Sequence, residues 1–128
     1  MKLILAAVMT LPMLASAAVT EIRDYKTYDC QITTGNGGEV FITGNLMTLS
    51  IDEHIGRFFQ EHLMVGGQDV QLQVLIEETA NTSTTGEVIL LQNLKVNETE
   101  TSVEIVTKDV EQTSARNKDV AASCKISR

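Results

Sequence analysis

Tyr28-Asp29-Cys30-Gln31-Ile32 decides how this chain closes, because Cys30 has a single possible partner, Cys124. That partner lies in Val120-Ala121-Ala122-Ser123-Cys124-Lys125-Ile126. Both stretches alternate with the period of a strand, where successive side chains point to opposite faces. Tyr28, Cys30 and Ile32 share one side of the first, and Val120, Ala122, Cys124 and Ile126 share one side of the second. A Cys30–Cys124 disulfide would therefore tie the two strands from their buried side. It would close a loop of about 95 residues, which in the loop-entropy account stabilises the fold by about 4–5 kcal/mol.

Working outward, the N-terminus has the features of a secretory signal. Lys2 gives a positive start, Leu3 to Leu14 is an apolar run, and Ala15-Ser16-Ala17 is the small-residue pattern of a cleavage site. A dozen apolar residues are too few to span a bilayer as a helix. The expectation is cleavage after Ala17 and a single domain over residues 18–128, exported to the periplasm or the cell exterior. Export and two cysteines fit together, since disulfides persist in oxidising compartments. The formal charge is −7, and loss of the +1 of Lys2 makes the domain more acidic still. An acidic surface without a basic cluster repels phosphate, which argues against nucleic acid or anionic membranes as partners. No second apolar run reaches membrane-spanning length, so no membrane insertion is expected.

Most of the rest alternates. Tyr25 to Thr33, Glu39 to Thr43 and Leu46 to Ser50 are predicted strands. Gly44-Asn45 reads either as a two-residue hairpin turn or as a bulge in one long strand. Val70, Leu72, Val74 and Ile76 alternate with polar neighbours. Glu87 to Val96 is apolar on both faces, as in a central or doubly covered strand. Val103 and Ile105 continue the inward set. Thr34 to Gly38, Thr79 to Gly86 and Glu111 to Lys118 read as polar loops. The fold class predicted is mainly β: one antiparallel sandwich or small barrel of about six to eight strands, with turn signals every 8–12 residues.

Residues 51–64 are ambiguous. As a helix, Ile51, Ile55, Phe58, Phe59, His62 and Leu63 share a face, Ser50-x-x-Glu53 is a capping box, and Gly66-Gly67 could end it. As a strand, Phe58 and Phe59 point to opposite faces. Yet the surroundings are β, Gly56 disfavours a helix, and Gly66-Gly67 equally suits a hairpin.

Chemistry is sparse. His54 and His62 each follow a glutamate but lack the spacing of a zinc motif. There is no Gly-x-Ser-x-Gly elbow, phosphate loop, dinucleotide fingerprint or EF-hand loop. No enzyme, metal or cofactor is expected. Asn81 and Asn97 head glycosylation sequons, which matter only in a eukaryotic secretory pathway. The remaining candidate is an apolar patch of Leu75, Ile89 and Leu91 on the outward side of adjacent strands. It would either dock a partner or lie beneath a 51–64 helix, and the second account needs no partner. The functional expectation is a monomeric, non-enzymatic binding module with an unspecified protein or small-molecule partner, acting through its loops or a sheet edge. The alternatives are a subunit of a surface assembly joined by strand addition, or a small hydrolase or metal-dependent enzyme around His54 and His62.

Overall fold

A computed structural model of the chain describes residues 25–51, 54–78 and 86–128. The expected signal segment, Glu53 and most of the 79–86 loop, Asn81 included, lie outside the described residues. Among the described residues nine strands follow one another: β1 (Thr27–Thr34), β2 (Glu39–Asn45), β3 (Met47–Ile51), β4 (His54–Val65), β5 (Gln68–Glu78), β6 (Val88–Val96), β7 (Thr99–Thr107), β8 (Gln112–Asn117) and β9 (Val120–Ser127). They form two antiparallel sheets, ordered β2-β1-β9-β8 and β3-β4-β5-β6-β7. The second is a meander of consecutive neighbours. The first joins the first described strand to the last, with β1 and β9 side by side.

The pairing register puts Cys30 directly opposite Cys124, with a Cα–Cα distance of 4.0 Å, and the two form a disulfide. Both are buried. The bond lies between neighbouring strands of one sheet, on the face that meets the other sheet. The inward residues of β1 and β9 pack there on Val70, Leu72, Val74 and Ile76 of β5 and Val88, Leu90, Leu94 and Val96 of β6. Tyr28 of the first sheet stacks on Phe59 of the second, with ring centroids 3.8 Å apart and planes 8° from parallel.

Two sequence expectations change, and a third, open between helix and strand, resolves to strand. The described part of residues 51–64 is strand: Ile51 closes β3 and His54–Val65 is a single strand. The strand is favoured because it uses both aromatic rings, Phe59 in the core and Phe58 on the outer face, and because Gly66 and Gly67 adopt φ of 56° and 79°. Two successive positive φ values make the tight turn whose twist matches a hairpin. Gly44-Asn45 is neither a hairpin turn nor a bulge. β2 and β3 lie in different sheets, and the chain crosses between them at Leu46, which is buried and donates its N–H to the Lys26 carbonyl at 2.7 Å. Residues 111–118 are mostly β8 rather than loop. Its inward positions are Thr113, Ala115 and Asn117, which give no apolar alternation to read. Asn117 is buried and spends its amide hydrogens on the carbonyls of Leu94 (3.0 Å) and Thr99 (2.8 Å), joining the two sheets.

Two side-chain clusters hold the sandwich at opposite ends. At one, the β1–β2 turn meets the β4–β5 turn: Asn36 donates to the Gly66 carbonyl at 2.9 Å, and Thr34 Oγ1 accepts from the Gly38 N–H at 2.9 Å. A Cβ on Gly38 would fall 2.7 Å from the Gly66 backbone, so glycine is required for the approach. At the other, buried Tyr25 donates to Asp109 and accepts from the Val110 N–H at 3.0 Å, while Arg128 binds Asp109 at 2.8 Å and lies over the Tyr25 ring.

Candidate functional site

The outer face of the five-stranded sheet carries the site, and the register builds it in rows. Met47, Phe58, Leu75 and Leu91 stand opposite one another across β3, β4, β5 and β6, and the row ends at Glu104 on β7. The next row along the strands is Gln60, Gln73, Asn93 and Ser102, all uncharged hydrogen-bonding groups. The row beyond that is His62, Gln71, Lys95 and Glu100. On the other flank lie Leu49, Gly56, Glu77, Ile89 and Val106. An apolar stripe and an amide stripe thus run side by side, perpendicular to the strands.

Between them is a groove of about 340 Å³, floored by Leu49, Phe58, Leu75 and Leu91 and edged by Gln60, Gln73, Asn93 and Ser102. Gly56 deepens it. A Cβ there would lie 2.9 Å from Leu75 Cδ1, so the leucine leans into the space that a side chain on β4 would take. Asn93 donates to Ser102 Oγ at 2.7 Å, which fixes one end of the amide row. No ionisable side chain lines the groove. Its walls offer apolar contact and neutral donors and acceptors, with neither a nucleophile–base pair nor a charged group to act on a bound molecule.

The predicted patch is placed as follows. Leu75 and Leu91 are register partners and line the groove, whereas Ile89 lies one row away beside Val106. All three are partly exposed, and among the described residues no helix covers them, because His54–Val65 is a strand of the same sheet. Phe58 and Leu49 belong to the groove and were missed. The signal was present: adjacent phenylalanines on a strand whose neighbours also carry outward leucines mark two apolar faces.

The other candidate residues go elsewhere. Glu61 and His62 are adjacent on β4 and so point apart, Glu61 accepting from Tyr28 in the interior and His62 meeting Asp69 at the surface, 2.5 Å away. Among the described residues no three His, Cys, Asp or Glu side chains are grouped to hold a metal ion, and no helix is long and apolar enough to cross a membrane. The 34–38 turn, expected as a recognition loop, is engaged in packing on Gly66.

Compared with protein-family models, with curated proteins and with solved structures, the chain shows no match.

Proposed function

We propose that this protein is a non-enzymatic binding module whose outer-sheet groove receives an apolar group of an uncharged partner. The observation that carries the reading is the pairing of an apolar row with a neutral amide row in one concave, uncovered strip. Exposed apolar surface that is shaped and polar-rimmed marks interaction sites. The amides would hydrogen-bond carbonyl, amide or hydroxyl groups flanking the apolar one, fixing its orientation. Action outside the cytoplasm, in the periplasm or the exterior, is part of the proposal and is supported by the disulfide.

The test uses the neutral dye Nile red as a probe of the groove. The folded protein should enhance its fluorescence saturably. Leu91→Lys should abolish the enhancement while the fold survives, since the new ammonium would stand opposite Glu104. Equal enhancement by both proteins, or none by either, would overturn the reading.

A second reading, a subunit of a surface assembly, is favoured by one observation: among the described residues β7 is a long edge that no other strand pairs with, suited to strand addition.

A further inference from the structure

β7 is the longest of the four edge strands, with 9 residues against 7 in β2, 6 in β8 and 5 in β3. None of its residues is buried. Proteins usually blunt such an edge with charged side chains, lysine above all, or with proline, a bulge or a covering segment; here the charges are Glu100 and Glu104, both on the outer face. Thr99-Glu100-Thr101-Ser102-Val103-Glu104-Ile105-Val106-Thr107 contains neither lysine nor proline. Val103, Ile105 and Val106 are 43%, 46% and 53% exposed, three of the seven exposed large apolar residues among those described. Val103 and Ile105 face the sandwich side, yet the four-stranded sheet does not cover them.

We infer that β7 pairs antiparallel with β7 of a second copy, about a two-fold axis through Val103. The charge pattern selects both the occupant and the register. A two-fold axis normal to the sheet keeps faces matched, so only residues of the same parity can stand opposite each other. Centred on Val103, the pairing uses the whole strand and sets Glu104 opposite Ser102, Glu100 opposite Val106, and Ile105 opposite Thr101. No glutamate meets another. Centred on Ser102, Glu100 would face Glu104 twice, and centred on Glu104, that residue would face itself; directly opposed like charges are destabilising. Centred on Thr101, Glu104 would face Glu98. Centred on Ile105, the pairing would use little more than half of β7. One register alone joins full length to charge avoidance, and it covers all three exposed apolar side chains of the strand.

The inference does not depend on the groove's role, but it bears on it: the axis leaves both outer faces pointing the same way, so two grooves would lie on one side of a continuous sheet. It departs from the monomer expected from the sequence. It also separates a closed dimer from an open assembly, because self-pairing consumes the edge in both copies.

Sedimentation equilibrium of the mature chain should show a monomer–dimer equilibrium with no larger species. Val106 is outside the groove and more than half exposed, so substitutions there should leave the fold intact by circular dichroism. Val106→Glu would set a second glutamate against Glu100 twice per dimer and should weaken association about tenfold. Val106→Lys should preserve the dimer and make it more sensitive to salt. Val103→Cys should cross-link to its counterpart on mild oxidation, whereas Ile105→Cys, facing Thr101, should not. A monomer at every concentration, a ladder of larger species, or a Val106→Glu dimer as tight as the parent would each overturn the inference.

Discussion

Tyr25 and Tyr28, the only tyrosines of the chain, each hold a buried phenol against a carboxylate, Asp109 and Glu61 respectively. Burial, and next the hydrogen bond to the acid, push both phenols up to about 12 from an ordinary value of 10.0. A raised acid is neutral in the folded state over a range where the unfolded chain has already released the proton. The stability it contributes is therefore complete below about pH 10 and is lost as pH rises through about 12. Urea midpoints should fall steeply across that window. Phenolate absorbance should rise with unfolding rather than before it, and Tyr28→Phe should fall less steeply. Phenolate appearing in a protein still folded would contradict this. Asp109 runs the other way: the Tyr25 hydrogen bond, then Arg128 and the Val110 N–H, hold its carboxyl below the usual range, so its contribution is lost only as pH drops through that lowered value. At the same scale, Gly38→Ala should cost about 1–3 kcal/mol, because the new methyl would meet the Gly66 backbone, which cannot yield as a side chain can. Denaturant titration of the variant checks it. None of these contacts was readable from the sequence. Tyr25 looked like the start of a strand, and its acid lies 84 positions away.

Among the elements, alternation succeeded wherever one face is apolar. β1, β5, β6 and β9 were legible because most of their inward positions are valine, leucine, isoleucine or cysteine. β8 was not, since its inward Thr113 and Asn117 are polar, and Asn117 finds its acceptors only on other strands. Asn117→Ala should therefore cost about 1–3 kcal/mol by removing two hydrogen bonds, although the Leu94 carbonyl keeps the Thr101 hydroxyl, and Asn117→Asp more, because a carboxylate cannot donate to either carbonyl. Chemical denaturation at neutral pH reads both. β4 was half legible: with one buried face Phe58 and Phe59 clash with a strand, and with two they require one. The candidate site follows the same logic. Leu75 and Leu91 were found because their strands were found, whereas Phe58 and Leu49 depended on a segment that could be read two ways. The groove itself is a product of register, which fixes the rows and which no run of neighbouring residues spells out.

At the scale of the molecule, the closure read from Tyr28 to Ile32 and from Val120 to Ile126 is the feature the structure reproduces most directly. Reduction of Cys30–Cys124 should lower stability by about 4–5 kcal/mol, the loop-entropy figure for a separation of 94 residues. Melts with and without reductant test it, and superimposable curves would count against it. What lay beyond the sequence was the crossing at Leu46. One residue takes the chain from one sheet to the other, and a reading that assumes short connections within a sheet has no reason to expect it.

The neighbouring placement of β1 and β9 has a mechanical side. Tension applied through Tyr25 and Arg128 would peel this pair open from Thr27 and Ser127, one rung after another. It would stop at the fourth rung, where Cys30 faces Cys124. About ten residues could be drawn out, roughly 40 Å of contour, and everything between the sulfurs would feel no load. In a force spectrometer the oxidised protein should yield that short step alone, while the reduced protein should release roughly 300 Å more. A domain wired in this way can be tethered at both ends and tugged without surrendering its groove.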